Sequence, residues 1–306
     1  MPTLLTLVHV ALVLSMPIAL VGIINRTKSW WAGRKGPRLL QSAHDLRRLL
    51  GKRPVYSHTA GRLFGAGAYI TLLAGLLAAS MAPMLGGFAP LQFEHDFIVV
   101  AYTLGLGRIA LMLSAMDVGS AFEGMGAARE ASFTAFVEPA LFLLIGTASV
   151  ATGHTSFASL LGSLHAAPGF GWLVAPAVVA LLILLQAEAA RVPVDDPMTH
   201  LELTMIHEVM ILDHSGPELA AMQYAAALKM SLYAGLISTL LNPLDPFAAP
   251  LASLAMTLLL MSGVAVAVGC VESLTARLPM RWVPPYLLVA SVAALMCWLL
   301  VGTLTP

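Results

Sequence analysis

The sequence predicts an all-α, polytopic membrane bundle of about eight transmembrane helices, and three observations predict it. Of 306 residues, 58% are hydrophobic and only 10% are charged, whereas a soluble domain carries roughly a quarter charged residues. Eight apolar runs reach the ~18 residues needed to cross a hydrocarbon core of ~30 Å. They lie near 4–24, 63–85, 97–116, 131–152, 172–190, 220–241, 250–271 and 284–301. Barrel strands would instead be about ten residues long with strict alternation, and no such pattern is visible. A single integral-membrane domain over 1–306 is expected, with hydrophilic loops near 25–62, 117–130, 191–219 and 272–283.

Positive charge sorts by loop. Of sixteen Lys and Arg, ten fall between the first two spans, and Arg129, Arg191, Arg277 and Arg281 fall in later alternate loops. Arg108 and Lys229 lie within spans, and the intervening loops 86–96, 153–171 and 242–249 have none. The positive-inside rule places both termini outside and the charged loops in the cytoplasm, as for a multi-pass protein of the cell inner membrane. No basic residue precedes the first span, which favours a retained helix over a cleaved signal peptide. In the first basic segment Leu39, Ala43, Leu46 and Leu50 recur at helical spacing, with Arg38, Asp45, Arg47 and Arg48 largely elsewhere. That pattern suits a short amphipathic helix at the membrane surface.

Two local patterns lead away from cofactor chemistry. Cys270 and Cys297 fall inside the last two spans without C-x-x-C spacing, as buried structural thiols do. The glycine-rich "GSAFEGMGAARE", 119–130, follows a membrane span rather than a strand, so it is not a phosphate loop.

Negative charge gathers in "QAEAARVPVDDPMTHLELTMIHEVMILDH", 186–214. Asp196 before Pro197 suits an N-cap for a helix from about 197 to 213, punctuated by Gly216 and Pro217. Ser215 and Glu218 have capping-box spacing for the sixth span. His200, His207 and His214 repeat every seven residues, so successive members stand about 10 Å apart along one helix side. Such an array makes a polar or proton-exchanging face rather than a metal site. Caps leave Glu188, Asp195, Glu202 and Glu208 unexplained. Glu188 is within helical ion-pairing reach of Arg191. Glu202 and Glu208 are interleaved with apolar residues that suit a helix buried all round. Buried carboxylates with few basic neighbours hold protons more readily than solvated ones, as a proton-handling site requires.

Arg108, Glu138 and Lys229 lie about eight, seven and nine residues from the charged ends of their spans, one layer roughly 10–14 Å deep. Equal depth permits Arg108 and Glu138 to pair with Lys229 close by. Two readings stay open, a relay path or a structural ion pair. Pro139 would loosen the helix beside Glu138.

Four segments carry a resemblance: "GRKGPRLLQSAHDLRRLLGKRPV" (33–55), "DVGSAFEGMGAAREASFTAFVEPAL" (117–141), "AEAARVPVDDPMTHLELTMIHEVMILDHSGPEL" (187–219) and "ARLPMRWVPPYLL" (276–288). In them the chain resembles the subunit 1 (H-chain) family of respiratory complex I over almost its whole length. Its likeness is to the branch in formate hydrogenlyase and energy-converting, group 4 nickel–iron hydrogenases. The resemblance implies an eight-helix, non-catalytic subunit joining a soluble redox arm to ion translocation. Glu188, Arg191, Asp195 and Glu202 would belong to the acidic loop's set, and Glu130 and Glu138 to carboxylates nearer a charged axis. The partners implied are soluble large and small iron–sulfur subunits at the cytoplasmic face and antiporter-like membrane subunits in the bilayer, with no nucleic acid. Nickel–iron and iron–sulfur centres would sit in those partners and none on this chain. Complex I chains typically carry a phenylalanine and a glutamate-rich run after the proline, where this chain has "VPVDDPMTH" and histidines. That favours the hydrogenase branch over the first alternative, a quinone-site subunit of an NADH dehydrogenase. The other alternative, a stand-alone ion transporter, would usually show internal repeats, and none is evident.

Overall fold

The computed structural model describes residues 2–167, 169–196 and 205–304. Among them, each apolar run forms one spanning helix: α1 (Pro2–Trp31), α3 (Arg62–Met81), α4 (Asp96–Asp117), α5 (Ala121–Thr152), α7 (Phe170–Glu188), α9 (Gly216–Leu241), α10 (Pro250–Leu274) and α11 (Val283–Leu304). Three short α-helices lie between them, α2 (Gln41–Leu50), α6 (Phe157–Ser163) and α8 (His207–Met210), with 3-10 turns at Leu164–Ala166 and Met280–Trp282. The described residues contain no strand.

Helix α9 is the centre of the bundle, with Leu228 through Leu240 buried without interruption. An isolated helix cannot hide every face, so neighbours must surround it, and α1, α3, α7 and α10 do so. Small residues let the backbones approach, as bilayer packing favours. A Cβ on Gly67 of α3 would fall 2.5 Å from the Ser114 Cβ of α4. One turn on, the Thr71 hydroxyl donates to the Gly107 carbonyl at 2.9 Å.

The loops gather at two ends. At one, Asp96 accepts the Phe157 N–H at 2.6 Å and the Ser156 hydroxyl at 3.2 Å, which ties the entry of α4 to the entry of α6. The Thr239 hydroxyl donates to the carbonyls of Pro83 and Gly86 at 2.8 and 3.1 Å. The other end holds the basic segments and the acidic stretch. There α2 packs on α1 and α9 while Leu39, Leu40 and Leu50 stay exposed, as an interfacial helix requires.

Helix α5 begins ten residues before its apolar run, at Ala121, and carries Glu123, Arg129 and Glu130, which the sequence places in a loop. Alanines favour the helix there, and Glu123 and Gly126 face protein. The expected helix to residue 213 is shorter than its pattern: its described part is α8, followed by a turn over 211–213. Asp195 explains where α8 starts, because its Oδ2 accepts the N–H groups of Ile206 and His207 at 3.2 and 2.8 Å, satisfying donors that a helix start leaves free. The cap expected from Asp196 concerns a helix start outside the described residues. The capping box of Ser215 and Glu218 does not form. Ser215 instead accepts the Val55 N–H at 2.8 Å, and Glu218 accepts the Tyr56 hydroxyl at 2.5 Å.

Candidate functional site: a buried charge cluster

Arg108 projects from α4 into the bundle with its side chain only 4% exposed. Its Nη1 donates to Glu138 Oε1 at 2.7 Å, its Nε faces Glu130 Oε1 at 3.4 Å, and its Nη2 donates to Glu188. A planar guanidinium with five N–H donors spans carboxylates on two helices more widely than a compact ammonium does. Glu130 and Glu138 lie eight residues apart, so α5 presents both on one face. Glu188 is the last residue of α7, and its second oxygen lies 3.5 Å from Lys229 Nζ on α9. Four spanning helices thus converge on five charges. Glu188 and Lys229 are as enclosed as Arg108, whereas the Glu138 side chain is 46% exposed on the flank of the bundle.

A cavity of about 20 Å³ continues from this cluster, lined by Arg108, Glu130 and Glu188 on one side and by Asp195 and His207 on the other. It is large enough for one water. His207 borders it, and its buried Nε2 has no hydrogen-bond partner among the described residues. Burial first, and the Lys229 ammonium second, push its pKa down to about 4. The imidazole is therefore neutral at pH 7. Asp195 pairs with Arg277 at 2.8 Å.

The sequence-expected pair of Glu188 and Arg191 does not form. Helix α7 stops at Glu188 and Ala190 takes φ +50°, so helical three-residue spacing no longer applies. Arg191 turns to Glu272 of α10 at 3.4 Å, where Lys28 of α1 also binds at 2.8 Å. Glu208 borders a separate cleft of about 270 Å³ between α1, α2, α9 and the chain after α7, with Asn25, Asp45, His207 and Tyr224. Glu202 and His200 lie outside the described residues.

The remaining histidines do not form an array. His214 stacks on Phe64 with ring centroids 3.8 Å apart. Its Nδ1 lies 3.2 Å from Glu218 and its Nε2 lies 3.1 Å from the Ser114 hydroxyl. Burial holds its pKa below the usual imidazole value, and the hydrogen bond to Glu218 raises Tyr56 to about 12. Glu123 escaped the sequence reading because it stood in a presumed loop. It is buried and accepts the Asp213 N–H at 3.3 Å. Tyr233, one turn beyond Lys229, also escaped it, being an ordinary core residue by pattern. Its buried hydroxyl has no hydrogen-bond partner among the described residues.

Residues 4–302 match the family model described as NADH dehydrogenase. The chain is 26% identical over 281 residues to hydrogenase-4 component C of Escherichia coli (strain K12), covering 89% of this chain and 87% of that protein. It is 27% identical over 232 residues to formate hydrogenlyase subunit 4 of the same organism, covering 75% and 74%. The fold is similar to a chain in the structure of the membrane-bound sulfane sulfur reductase, an archaeal respiratory membrane complex. That match has a TM-score of 0.81 and 22% identity, and covers 96% of this chain and 97% of that one. With nearly every residue inside the family match, the chain belongs to the NADH dehydrogenase family, among its complex I subunit 1-like members.

Proposed function

We propose that this chain is the membrane-anchoring and ion-coupling subunit of an energy-converting hydrogenase or formate hydrogenlyase-like complex. The relatives support the class of complex, and the buried cluster carries the coupling role. Arg108 and Lys229 oppose Glu130, Glu138 and Glu188, two positive charges against three negative. The cluster is neutral when it holds one exchangeable proton, and low dielectric strongly favours neutrality. Proton or sodium occupancy of that place is the event coupled to redox chemistry next door.

On this reading the chain holds no redox centre of its own. Cys270 and Cys297 sit on different helices, and no group of three His, Cys, Asp or Glu among the described residues could hold a metal. On this reading nickel–iron and iron–sulfur centres belong to soluble subunits docked at the basic end, which faces the cytoplasm of the inner membrane. The termini then lie outside. Half-exposed Glu138 on the flank suits contact with an antiporter-like membrane subunit, because a carboxylate facing lipid is costly. Asp195, Glu202 and Glu208 serve as the carboxylates at the cytoplasmic approach, with Arg191 fixing the loop through Glu272.

Glu138→Gln tests the reading. It keeps size and one hydrogen bond to Arg108 but removes the titratable group. The complex should assemble on native gels while ion pumping in proteoliposomes falls at least tenfold. Wild-type pumping by the assembled variant would refute the relay role of Glu138. A second reading rests on the 270 Å³ cleft beside α2, which falls just below the usual range of a small-molecule site and suits a quinone headgroup. A photoreactive quinone analogue labelling 189–211 would favour it.

A further inference from the structure

The basic segment after α1 doubles back along that helix. At 30 residues, α1 is about 45 Å long, so its last turns emerge from a ~30 Å hydrocarbon core into the headgroup layer. It ends on Gly33, which takes φ +65°. The Gly33 N–H donates to the Trp30 carbonyl at 3.0 Å and the Arg34 N–H to the Ser29 carbonyl at 2.9 Å, the paired bonds of a glycine-terminated helix. The chain then runs back beside α1. A Cβ on Gly36 would lie 3.0 Å from Ser29, and one on Gly22 would lie 2.0 Å from the Leu39 carbonyl oxygen. Glycine at 22, 33 and 36 is what permits the return.

Between α1 and the returning segment lies an open groove of about 460 Å³. Ile23, Trp30 and Leu39 line it with apolar surface, Arg26, Arg34 and Lys35 with positive charge, and no acidic residue lines it. None of the ion pairs among the described residues uses these three cations, although Lys28, two residues from Arg26, is held by Glu272. Trp30 is 79% exposed, at the depth where tryptophan anchors spans in the interface.

We propose that this groove binds an anionic phospholipid of the leaflet at the basic end. Its phosphate sits among Arg26, Arg34 and Lys35, with guanidinium groups suited to bidentate phosphate contact. Its glycerol and upper acyl chain run along Ile23, Trp30 and Leu39. Basic pockets at the ends of spanning helices recognise such headgroups. Because Leu39 lies two residues before the start of α2, the bound lipid also steadies the helix that borders the 270 Å³ cleft. The site does not depend on the coupling role.

The test uses the whole complex with this chain wild type or carrying R26Q, R34Q and K35Q together. Native mass spectrometry after detergent washing reads retained phospholipid. The wild type should keep an anionic phospholipid that the assembled triple variant loses by tenfold or more, given about 1 kcal/mol for each basic residue near the surface. Nanodiscs of phosphatidylglycerol should restore it and shift Trp30 fluorescence, with Trp30→Phe as the control, whereas phosphatidylcholine should do neither. Equal anionic-lipid retention by the triple variant would overturn the proposal. So would displacement by millimolar inorganic phosphate, which would mark a free-phosphate site. If an acylating reagent labels Lys35 in lipid-stripped protein and is blocked only once soluble subunits dock, the groove belongs to a protein partner and the proposal is overturned as well. If the triple variant fails to assemble, K35Q alone carries the test, with partial loss expected and unchanged retention overturning the site.

Discussion

At the scale of single residues, Arg108 decides the cluster, because three carboxylates from two helices depend on one guanidinium. Arg108→Leu leaves Lys229 alone against them. Breaking a buried pair in this way costs on the order of 3–5 kcal/mol, so assembly on native gels should fail. Arg108→Lys keeps the charge but loses the wide planar fork that reaches both helices, so the complex should assemble and pump poorly. Assembly and pumping measured together on both variants separate charge from geometry. The buried histidines predict a pH response. His207 and His214 have depressed pKa values in the fold, so the unfolded chain binds more protons below its imidazole pKa of ~6.5. The stability they give is complete above about pH 6.5 and is lost as pH falls through the window toward about 4 for His207, by on the order of 3 kcal/mol for that residue. Hydrogen exchange over 205–214, corrected for its intrinsic rate, should accelerate across that window. His207→Gln should flatten the response, and an unchanged profile would remove His207 as its source.

Elements were legible in the sequence where water and lipid decide them. Every span and the amphipathic α2 follow from apolar length or periodicity alone, because the bilayer punishes each misplaced charge separately. The common depth of Arg108, Glu138 and Lys229 was legible for the same reason, and Arg108 does bind Glu138. Their union with Glu188 was not, since it depends on where α7 stops and how four helices meet. Arg191 shows why: three residues from Glu188 in sequence, it belongs to Glu272, 81 residues away, once Ala190 breaks the helix. The acidic stretch is also shaped by Gly126 of α5, a position with no signal of its own. A Cβ there would fall 2.3 Å from Val209 and 2.9 Å from the Ile206 carbonyl. Gly126→Val should therefore lift α8 off α5, exposing 205–211 to limited proteolysis and reducing pumping while the spans still insert. An unaltered cleavage pattern would mean that α8 does not depend on that contact.

At the scale of the molecule, charge is polarised end to end. One end joins Asp96 to the α6 entry and Thr239 to the 83–86 turn without any Lys or Arg. The other collects fourteen of the sixteen basic residues, all but Arg108 and Lys229, and with them the acidic stretch. Translocating such loops is disfavoured against the membrane potential and the insertion machinery's charge bias, so the basic end should face the cytoplasm. Soluble subunits of the proposed complex would then approach from that side, where the cavity lined by Asp195 and His207 leads to the buried cluster. Single cysteines decide the matter in a background with Cys270 and Cys297 replaced by Ser. His154→Cys lies in an exposed loop of the end without Lys or Arg and His58→Cys in an exposed segment of the basic end. An impermeant thiol reagent added to intact cells should label the cysteine at 154 and spare the one at 58 until the membrane is opened. The reverse pattern would turn the bundle over, placing the basic end, the cavity and any redox partner outside the cell, and the coupling reading would fall with the orientation.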